Sequence, residues 1–257
     1  MTDNKSAFAV NRYDENVRKV IPFYDEIYEQ IFSVIQAHCG SKPLAVLDTG
    51  CGTGTLGQMA LERLNLSELV LCDPSEKMLA DAREKLNDQP CEFYCVGSEK
   101  LDFENRFDVV TAIQSHHYFD RATRETAVKN CFKALKSGGI FICFENTAPF
   151  TERGKDILLK RIEAFGLAAG RTPDEVRSHS ARYNTEYFPI TIKEHLELLD
   201  KTGFAACELF WHSYMQSGFY AIKGRKNEQD KYSTDTSRAF RAVCGDIREG
   251  VLGRAVE

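Results

Sequence analysis

The most constraining feature of the 257-residue chain is a glycine-rich turn that follows directly on a short apolar segment. The segment runs from Leu44 to Asp48, and Gly50, Gly52 and Gly54 come within the next six residues. Because glycine lacks a side chain, such a turn can approach a ligand closely, and the following helix presents its N-terminal amides there. The turn therefore predicts a nucleotide site between a buried strand and a helix. The stretch from Gly52 to Gly57 also fits the dinucleotide pattern GxGxxG, so the turn alone leaves the kind of nucleotide open.

Apolar runs with strand character alternate with helical patterns along the first 145 residues. Short apolar runs bounded by turns predict buried strands, and apolar residues at three- and four-residue spacing predict the helices between them. Such alternation produces a parallel sheet with helices on both faces. The helix after the fourth strand is predicted to stop at Gly138-Gly139, because glycine suits a left-handed turn. The five predicted strands are Leu44 to Asp48, Glu68 to Asp73, Cys91 to Gly97, Phe107 to Gln114 and Ile140 to Glu145.

The rest of the chain predicts a helical insert and a closing pair of strands. The insert covers residues 150–190 and shows no strand pattern up to residue 185, whereas Phe204 to Trp211 and Ser217 to Lys223 form a predicted hairpin-like pair. The predicted fold class is thus α/β, with a Rossmann-like, seven-stranded, mostly parallel sheet whose last strand is reversed. Residues 1–43 form a separate helical region broken at Pro22, residues 44–224 the main domain, and residues 225–257 a flexible tail with at most one helix.

Composition and charge limit the classes of binding partner and the cellular compartment that we expect for this protein. A formal net charge of −5 disfavours a broad electrostatic grip on nucleic acid, although it leaves room for a local basic patch. Nine scattered cysteines indicate a reducing compartment, and Cys91 and Cys95 lack the further ligands of a zinc site. The polar N-terminus differs from a signal peptide, and no apolar run reaches membrane-spanning length. We therefore expect a cytoplasmic protein without a metal or a membrane contact.

Two acidic residues at strand ends decide between the nucleotides. Asp48 precedes the glycines, where a carboxylate would repel a pyrophosphate but suits a cationic amino acid, and Asp73 is placed to accept hydrogen bonds from ribose hydroxyls. With DPSEKML after the second strand and LKSGG before the fifth, residues 44–223 resemble the class I S-adenosylmethionine (SAM)-dependent methyltransferases. The resemblance implies that Asp48 and the loop from Gly50 to Gly54 hold the methionine part of SAM, and that Asp73 holds the ribose.

The same resemblance implies an adenine site. Pro74 would pack near the adenine, Ser98 and Glu99 would lie beside its edge, and Gln114 would lie near the methionine end. Many relatives carry an acidic residue before the small residue of the third-strand loop, where this chain has Gly97. The adenine contact is therefore assigned to Ser98 or Glu99.

The two ends of the folded region show a closer resemblance. The segments YDENVRKVIPFYDEIYEQI and ELFWHSYMQSGFYAIK are similar to the edges of tRNA wobble-uridine modification enzymes, namely carboxy-SAM synthases and their methyltransferase neighbours. This implies that residues 1–43 fold over SAM as a lid, with Tyr13 and Arg18 facing it. The helix from Thr191 to Lys201 contains no arginine, where a carboxy-SAM synthase is expected to carry its extra-carboxylate ligand. The acidic balance also disfavours direct tRNA binding without excluding it.

An acceptor is expected beyond the carboxyl ends of the strands. His116 and His117 follow the fourth strand, and histidine titrates near neutrality, so each is a candidate base, with His116 slightly preferred. Adjacent histidines at a strand end can equally cap the next helix or line a polar pocket. Several acceptor candidates also have a structural explanation. An arginine on a helix, such as Arg182, commonly lies on a solvated face, and a carboxylate at the end of a strand, such as Glu145, is common. Trp211 can belong to the core. With those alternatives, the candidate acceptor-binding residues are Glu145, Arg182, Tyr183, Trp211, His212 and Tyr214.

These observations favour a SAM-dependent methyltransferase that acts on a small molecule. The sequence leaves the acceptor, its reacting atom (O, N, S or C) and the oligomeric state open. A second hypothesis is an enzyme of wobble-uridine metabolism that uses SAM differently, as in carboxy-SAM formation. A third is a SAM-binding protein without turnover.

Overall fold

The computed structural model describes residues 16–87 and 89–224, and a single mixed sheet forms the centre of this region. Its strands are β1 (Leu44–Thr49), β2 (Leu66–Cys72), β3 (Glu92–Tyr94), β4 (Phe107–Ile113), β5 (Leu135–Ala148), β6 (Ile190–Thr191), β7 (Ala206–Ser213) and β8 (Gln216–Ile222). The strand order is β3-β2-β1-β4-β5-β8-β7, and the two-residue β6 pairs with the end of β5.

The first five strands of this order run parallel, and the closing pair does not. β8 is antiparallel to both β5 and β7, because a tight turn at Tyr214 and Met215 reverses the chain between the last two strands. This confirms the predicted Rossmann-like sheet with its reversed last strand. It also brings the Tyr214–Met215 turn to the same edge as the carboxyl ends of β4 and β5, since Asn146 pairs with Gln216.

Seven helices accompany the strands in the described residues, and their starts follow local sequence signals. Pro22 separates the turn at Val17–Lys19 from the first helix, and Thr191 forms a capping box with Glu194. Short 3₁₀ turns lie at Val17–Lys19, Ser98–Lys100 and His116–Tyr118. The helices are α1 (Tyr24–Cys39), α2 (Thr55–Arg63), α3 (Glu76–Lys85), α4 (Arg121–Ala134), α5 (Glu152–Ala168), α6 (Pro173–Ser180) and α7 (Ile192–Thr202).

The predicted end of the helix after β4 is wrong. α4 ends at Ala134, and the chain enters β5 at Leu135, so Gly138-Gly139 lies inside a strand and does not cap the helix. Leu135 is fully buried and pairs with Phe107, which draws the chain into the sheet before the glycines are reached. Gly138 has a φ of 81° at the point where the β4–β5 register shifts. The glycines therefore shape a strand irregularity.

Two apolar layers cover the faces of the sheet. On one face α1 and α2 pack against residues that include Phe144, and on the other α4 and α7 pack against residues that include Phe141. A third, smaller cluster of Leu158, Ile162, Tyr187 and Met215 joins the insert to the β7–β8 turn. The insert is thereby held over the carboxyl ends of β4 and β5. In the described part of the chain, no helix combines the length and apolar character that crossing a bilayer requires.

Candidate functional site

The carboxyl end of β1 opens into a cavity that we call the loop cavity. The glycine turn and the start of α2 form one side, and α1 closes the other with Tyr24 and Tyr28, whose hydroxyl oxygens lie 3.0 Å apart. Asp48 from the end of β1 and Gln114 from the end of β4 also line the cavity. The loop cavity therefore collects residues from two strand ends and one covering helix.

The glycine turn has the backbone conformation that its sequence predicted. Gly50, Gly52 and Gly54 have φ angles of 69°, 55° and 77°, in the left-handed region that glycine adopts at little cost. A Cβ atom at Gly50 would lie 2.5 Å from Cβ of Ser115, whereas a Cβ atom at Gly52 would meet nothing within 4 Å. Gly52 therefore presents bare backbone to the loop cavity.

Two carboxylates flank this turn in different environments. Asp48 is almost fully buried and accepts a hydrogen bond from Oγ1 of Thr111 at 2.7 Å. Burial raises the pKa of Asp48 to about 7, the Thr111 hydroxyl opposes this, and the charge of Asp73 adds to it. Asp73 accepts hydrogen bonds from the backbone N–H groups of Gly52 at 3.0 Å and Ser75 at 2.8 Å. Asp73 thus fixes the glycine turn from the neighbouring strand.

The residues assigned to the adenine by resemblance differ in exposure. Pro74 is exposed, and Glu99 is half-buried with its carboxylate folded back over Gly97. Ser98 is buried, and its hydroxyl lies 3.1 Å from Oγ1 of Thr49 and 3.0 Å from Nε2 of His116. The Ser98 hydroxyl therefore joins an internal network.

A second cavity, which we call the insert cavity, meets the loop cavity at Gln114. Gln114 lines both, and its φ of 55° turns the chain sharply at the end of β4. The walls of the insert cavity are apolar where the N-terminal residues Val17 to Pro22 cover it. They are polar towards the strand ends and the insert, which contribute His117, Tyr118, Asn146, His179, Arg182 and Gln216. Two ligands, one in each cavity, would therefore approach each other beside Gln114.

His117 and Glu145 form a buried pair at the wall of the insert cavity. Oε2 of Glu145 lies 2.9 Å from Nδ1 of His117 and accepts the His117 backbone N–H at 2.8 Å. Burial acts to raise the pKa of Glu145, but the hydrogen bond and charge of His117 hold it below its ordinary value. Because Glu145 is a carboxylate, Nδ1 of His117 is the donor in this contact, and in the neutral form of the ring Nε2 carries the lone pair. This is the geometry of a base oriented by a third group.

His116 has a different environment, although it is adjacent in sequence. Its ring stacks near Phe141 and Phe119, and its Nε2 lies 3.0 Å from the Ser98 hydroxyl. Burial lowers the pKa of His116 to about 4. His116 belongs to neither cavity lining, whereas His117 lines the insert cavity. The geometry therefore favours His117 as the base, opposite to the order that the sequence suggested.

The remaining predicted site residues occupy varied places. Glu145 is fully buried behind His117, Arg182 lines the insert cavity, and Tyr183 packs on Tyr187 under the Lys155 ammonium. Arg18 is exposed and pairs with Asp25 at 2.6 Å.

The closing hairpin supplies three more of the predicted residues. Trp211 packs against Phe144 and Phe23, His212 is exposed with Nδ1 2.8 Å from Oγ of Ser217, and Tyr214 contacts Phe23 and Phe165. Tyr13 lies outside the described residues, as do residues 225–257.

The sequence predicted a lid formed by residues 1–43, but it did not identify which residues between Val17 and Tyr28 line the cavities. Val17, Val20 and Ile21 line the insert cavity, and Tyr24 and Tyr28 line the loop cavity. Their four-residue spacing only indicates a helix face, and an apolar helix face looks the same whether it covers a core or a ligand. Thr111, the partner of Asp48, was also missed because strand alternation marks it only as an inward-facing residue.

Comparisons with known proteins identify a methyltransferase domain in the chain. A family described as a methyltransferase domain matches residues 46–139. A carboxy-S-adenosyl-L-methionine synthase from Staphylococcus epidermidis is 26% identical over 223 residues, which cover 85% of this chain and 96% of that protein. A malonyl-[acyl-carrier protein] O-methyltransferase from Acetivibrio thermocellus is 27% identical over 187 residues, which cover 62% of this chain and 64% of that protein.

A solved structure shares the architecture. Magnesium protoporphyrin IX methyltransferase from Synechocystis, in complex with S-adenosylhomocysteine (SAH), superposes with a TM-score of 0.57 at 16% identity over 80% of this chain and 86% of that chain. These matches support a class I SAM-dependent methyltransferase. This confirms the predicted family, an enzyme function and SAM as the cofactor, and it resolves the choice of nucleotide that the glycine turn left open.

The residues of this methyltransferase fit its cofactor at the loop cavity. Gly52 offers bare backbone there, and a Cβ atom would occupy that space. Asp48 offers a carboxylate to a cation, and Nε2 of Gln114 is buried without a hydrogen-bond partner in the described structure. An orphaned donor on a side chain that lines a cavity together with an acidic group suits a ligand with both a cationic and an anionic end, as the amino acid part of SAM has.

Proposed function

We propose that this methyltransferase moves the methyl group of SAM to a phenolic or enolic hydroxyl of a small molecule held in the insert cavity. The observation that carries the proposal is the His117–Glu145 pair, whose histidine lines that cavity. Bound SAM supplies an electrophilic methyl group, and its transfer to the acceptor oxygen leaves SAH. His117 takes the hydroxyl proton on Nε2, and Glu145 stabilises the imidazolium that results.

The loop cavity is the proposed cofactor site. Asp48 would face the ammonium group, the backbone at Gly52 would approach the methionine part, and Asp73 would accept the ribose hydroxyls. Gln114 would donate its orphaned N–H group to the methionine end. Pro74, Ser98 and Glu99 remain the proposed adenine contacts, with Glu99 better exposed for that role than Ser98.

The acidity of the acceptor decides what a histidine can deprotonate. An ordinary imidazole has a pKa near ~6.5, so a phenol of pKa ~10 gives up its proton at a cost of roughly 5 kcal/mol. A hydroxyl as weakly acidic as water, with a pKa of ~15.7, would cost roughly 12 kcal/mol. Alignment and general-base catalysis can offset the first cost far more readily than the second. A phenol or an enol is therefore the better match to a histidine base.

Two covering segments support exclusion of water from the reaction. The N-terminal residues Val17, Ile21 and Pro22 cover the insert cavity, and the insert of residues 150–190 adds Ile162 and His179. We propose that residues 1–43 act as a lid on the main domain of residues 44–224. A net charge of −5 and scattered cysteines support a small-molecule acceptor, not tRNA, in a cytoplasmic setting.

Carboxy-SAM formation is the second candidate function, because several relatives that match most of this chain carry that name. Such chemistry needs a cation for the extra carboxylate. α7 contains no arginine, and Arg182 in the insert cavity already contacts Glu186 at 2.6 Å. These features support the methyltransferase over the synthase.

Product masses test the proposal. The purified protein would be incubated with SAM and a panel of phenols, enols, thiols, amines and alcohols, and both the acceptors and the cofactor would be analysed by mass spectrometry. The proposal expects a phenol or enol heavier by one methyl substitution, together with SAH. In a parallel incubation that also contains a carboxylic acid able to donate its carboxyl group, a cofactor heavier by a carboxyl group would establish the second candidate. Methyl transfer confined to thiols, amines or alkyl alcohols would contradict the proposed acceptor.

A further inference from the structure

Three buried polar atoms that lack a partner in the described residues belong to side chains lining the insert cavity. They are Nε2 of Gln114, Nδ1 of His179 and Oε1 of Gln216. A buried polar group without a hydrogen bond costs roughly 1–3 kcal/mol, so such groups are rare in native proteins. Gln114 also lines the loop cavity, where it is assigned to SAM, so His179 and Gln216 are the two groups whose hydrogen bonds a ligand in the insert cavity would complete.

The Gln216 amide is oriented by its neighbour. Gln216 is 4% exposed, and its Nε2 donates to Oδ1 of Asn146 at 3.2 Å. That contact leaves Oε1 as the atom of Gln216 without a partner, and a carbonyl oxygen can only accept a hydrogen bond. Gln216 therefore requires an O–H or N–H group on whatever occupies the cavity.

The charges around the insert cavity are compensated. Arg182 is the cation among its described lining residues, its side chain is 11% exposed, and Glu186 accepts from its Nε at 2.6 Å. Glu145 lies behind His117 and is engaged by it. Burial, together with Arg171 and Arg182, lowers the pKa of His179 to about 4, so that its ring is neutral at pH 7. A charged acceptor would therefore lack a counter-charge in this cavity.

We propose that Gln216 and His179 select an uncharged acceptor with a second polar group, which donates a hydrogen bond to Oε1 of Gln216 and bonds to Nδ1 of His179. This deepens the proposed function, on which it rests, by naming a neutral phenol or enol that carries an adjacent amide or hydroxyl. An acceptor with a carboxylate at that position has no donor for Gln216 and places a negative charge beside its carbonyl oxygen. Sites that bond a polar group on the substrate discriminate strongly against analogues that lack it.

A matched pair of probes tests this inference. In 2-hydroxybenzamide a phenol stands beside a neutral amide, and in 2-hydroxybenzoate the amide is replaced by a carboxylate of nearly the same shape. Their dissociation constants would be measured by titration into the protein saturated with SAH. We expect the amide to bind at least about tenfold more tightly, which corresponds to one hydrogen bond of roughly 1.4 kcal/mol. Gln216→Met keeps the length of the side chain and is expected to remove most of this preference, as is His179→Phe.

The experiment includes one control variant, and its negative outcomes separate the inference from the proposed function. Gln36→Met changes an exposed glutamine on α1 and should leave the preference unchanged. Equal affinity for both probes, tighter binding of the carboxylate, no binding of the amide, or an unchanged preference in Gln216→Met would overturn the inference. Failure of the protein to bind SAH, which is measured separately from the probes, would overturn the proposed function and with it the inference that rests on that function.

Discussion

Nδ1 of His117 lies 2.9 Å from Oε2 of Glu145, whose side chain is completely buried. The same carboxylate accepts the backbone N–H groups of His116 and His117 at 3.1 Å and 2.8 Å, so that it holds the whole turn after β4. The pairing selects one tautomer and directs one nitrogen of a histidine that lines the insert cavity. Its neighbour in sequence, His116, uses its own Nε2 for an internal contact with Ser98.

We expect His117→Asn to lower kcat by about 10²-fold or more, because general-base catalysis typically contributes 10²–10⁴-fold. Affinity for SAM should change little, since His117 does not line the loop cavity. The rate of the variant should also recover partly at high pH, where more of a phenol is already ionised. Steady-state kinetics across pH and titration with SAM would measure both effects.

His116→Asn is the matched control for that experiment. His116 is buried against Phe141 and Phe119, so the substitution should lower the melting temperature without changing the shape of the pH–rate profile. If His116→Asn flattened the profile while His117→Asn kept it, the roles of the two histidines would be exchanged.

Sequence alone predicted the sheet because its signals are local. Apolar runs, a glycine turn and capping residues such as Thr191 each act within a few neighbours, and the structure places a strand or helix near each of them. The error at Gly138-Gly139 arose where a long-range contact prevailed, since Leu135 pairs with Phe107, 28 residues away in the chain. Periodicity gives no information on such pairing.

The candidate site was predictable only where a motif carried it. Asp48, Asp73 and the glycines follow from strand ends and a turn, and the structure brings them together. Which of the two histidines is the better candidate base depends on a single 3₁₀ turn. This turn directs the ring of His116 inwards and the ring of His117 towards the insert cavity. Which ring faces which way is set by Glu145 and Ser98, and both are distant in sequence.

Gly52→Ala should weaken SAM binding, whereas Gly40→Ala should not. Both glycines have φ near 60° (55° and 64°), and an added Cβ meets nothing within 4 Å at either position. Both substitutions should lower the free energy of unfolding, because both glycines have positive φ, and Gly40 also has a ψ of −143°, outside the left-handed helical region. Only the Cβ at position 52 would enter the loop cavity. Denaturant unfolding and titration with SAM would separate the two effects, and equal SAM affinities in both variants would contradict the assignment of the loop cavity.

Asp73→Asn should weaken SAM binding by roughly 10- to 100-fold, because hydrogen bonds to a charged acceptor contribute about 1.5–3 kcal/mol. The carboxylate also accepts the N–H groups of Gly52 and Ser75, so some loss of stability should accompany the effect. Asp102→Asn, on an exposed aspartate, is the control. Titration with SAM and with SAH would measure the change, and an affinity equal to that of the control would remove Asp73 from the site.

Asp48 should make the stability of the protein depend on pH near neutrality. Burial raises its pKa to about 7 in the folded state, whereas in the unfolded chain it returns to about 3.9. Between these values the folded protein binds a proton that the unfolded chain has released, so the free energy of unfolding falls as the pH rises through this window. The contribution is complete below pH ~4 and is lost above pH ~7, and it amounts to about 4 kcal/mol.

Asp48→Asn isolates this effect and tests the cofactor site at once. Asparagine resembles the protonated carboxyl and can still accept from Thr111, so the variant should be more stable than the wild type at pH 8, and the difference should shrink as the pH falls to about 4. It should also bind SAM more weakly, because an amide offers no charge to the ammonium group. In the wild type, SAM binding at pH 6.5 should release a proton from Asp48, which titration calorimetry in buffers of different ionisation enthalpy would detect. A wild-type stability difference between pH 5 and pH 8 that matches that of Asp48→Asn would show that this carboxyl titrates normally.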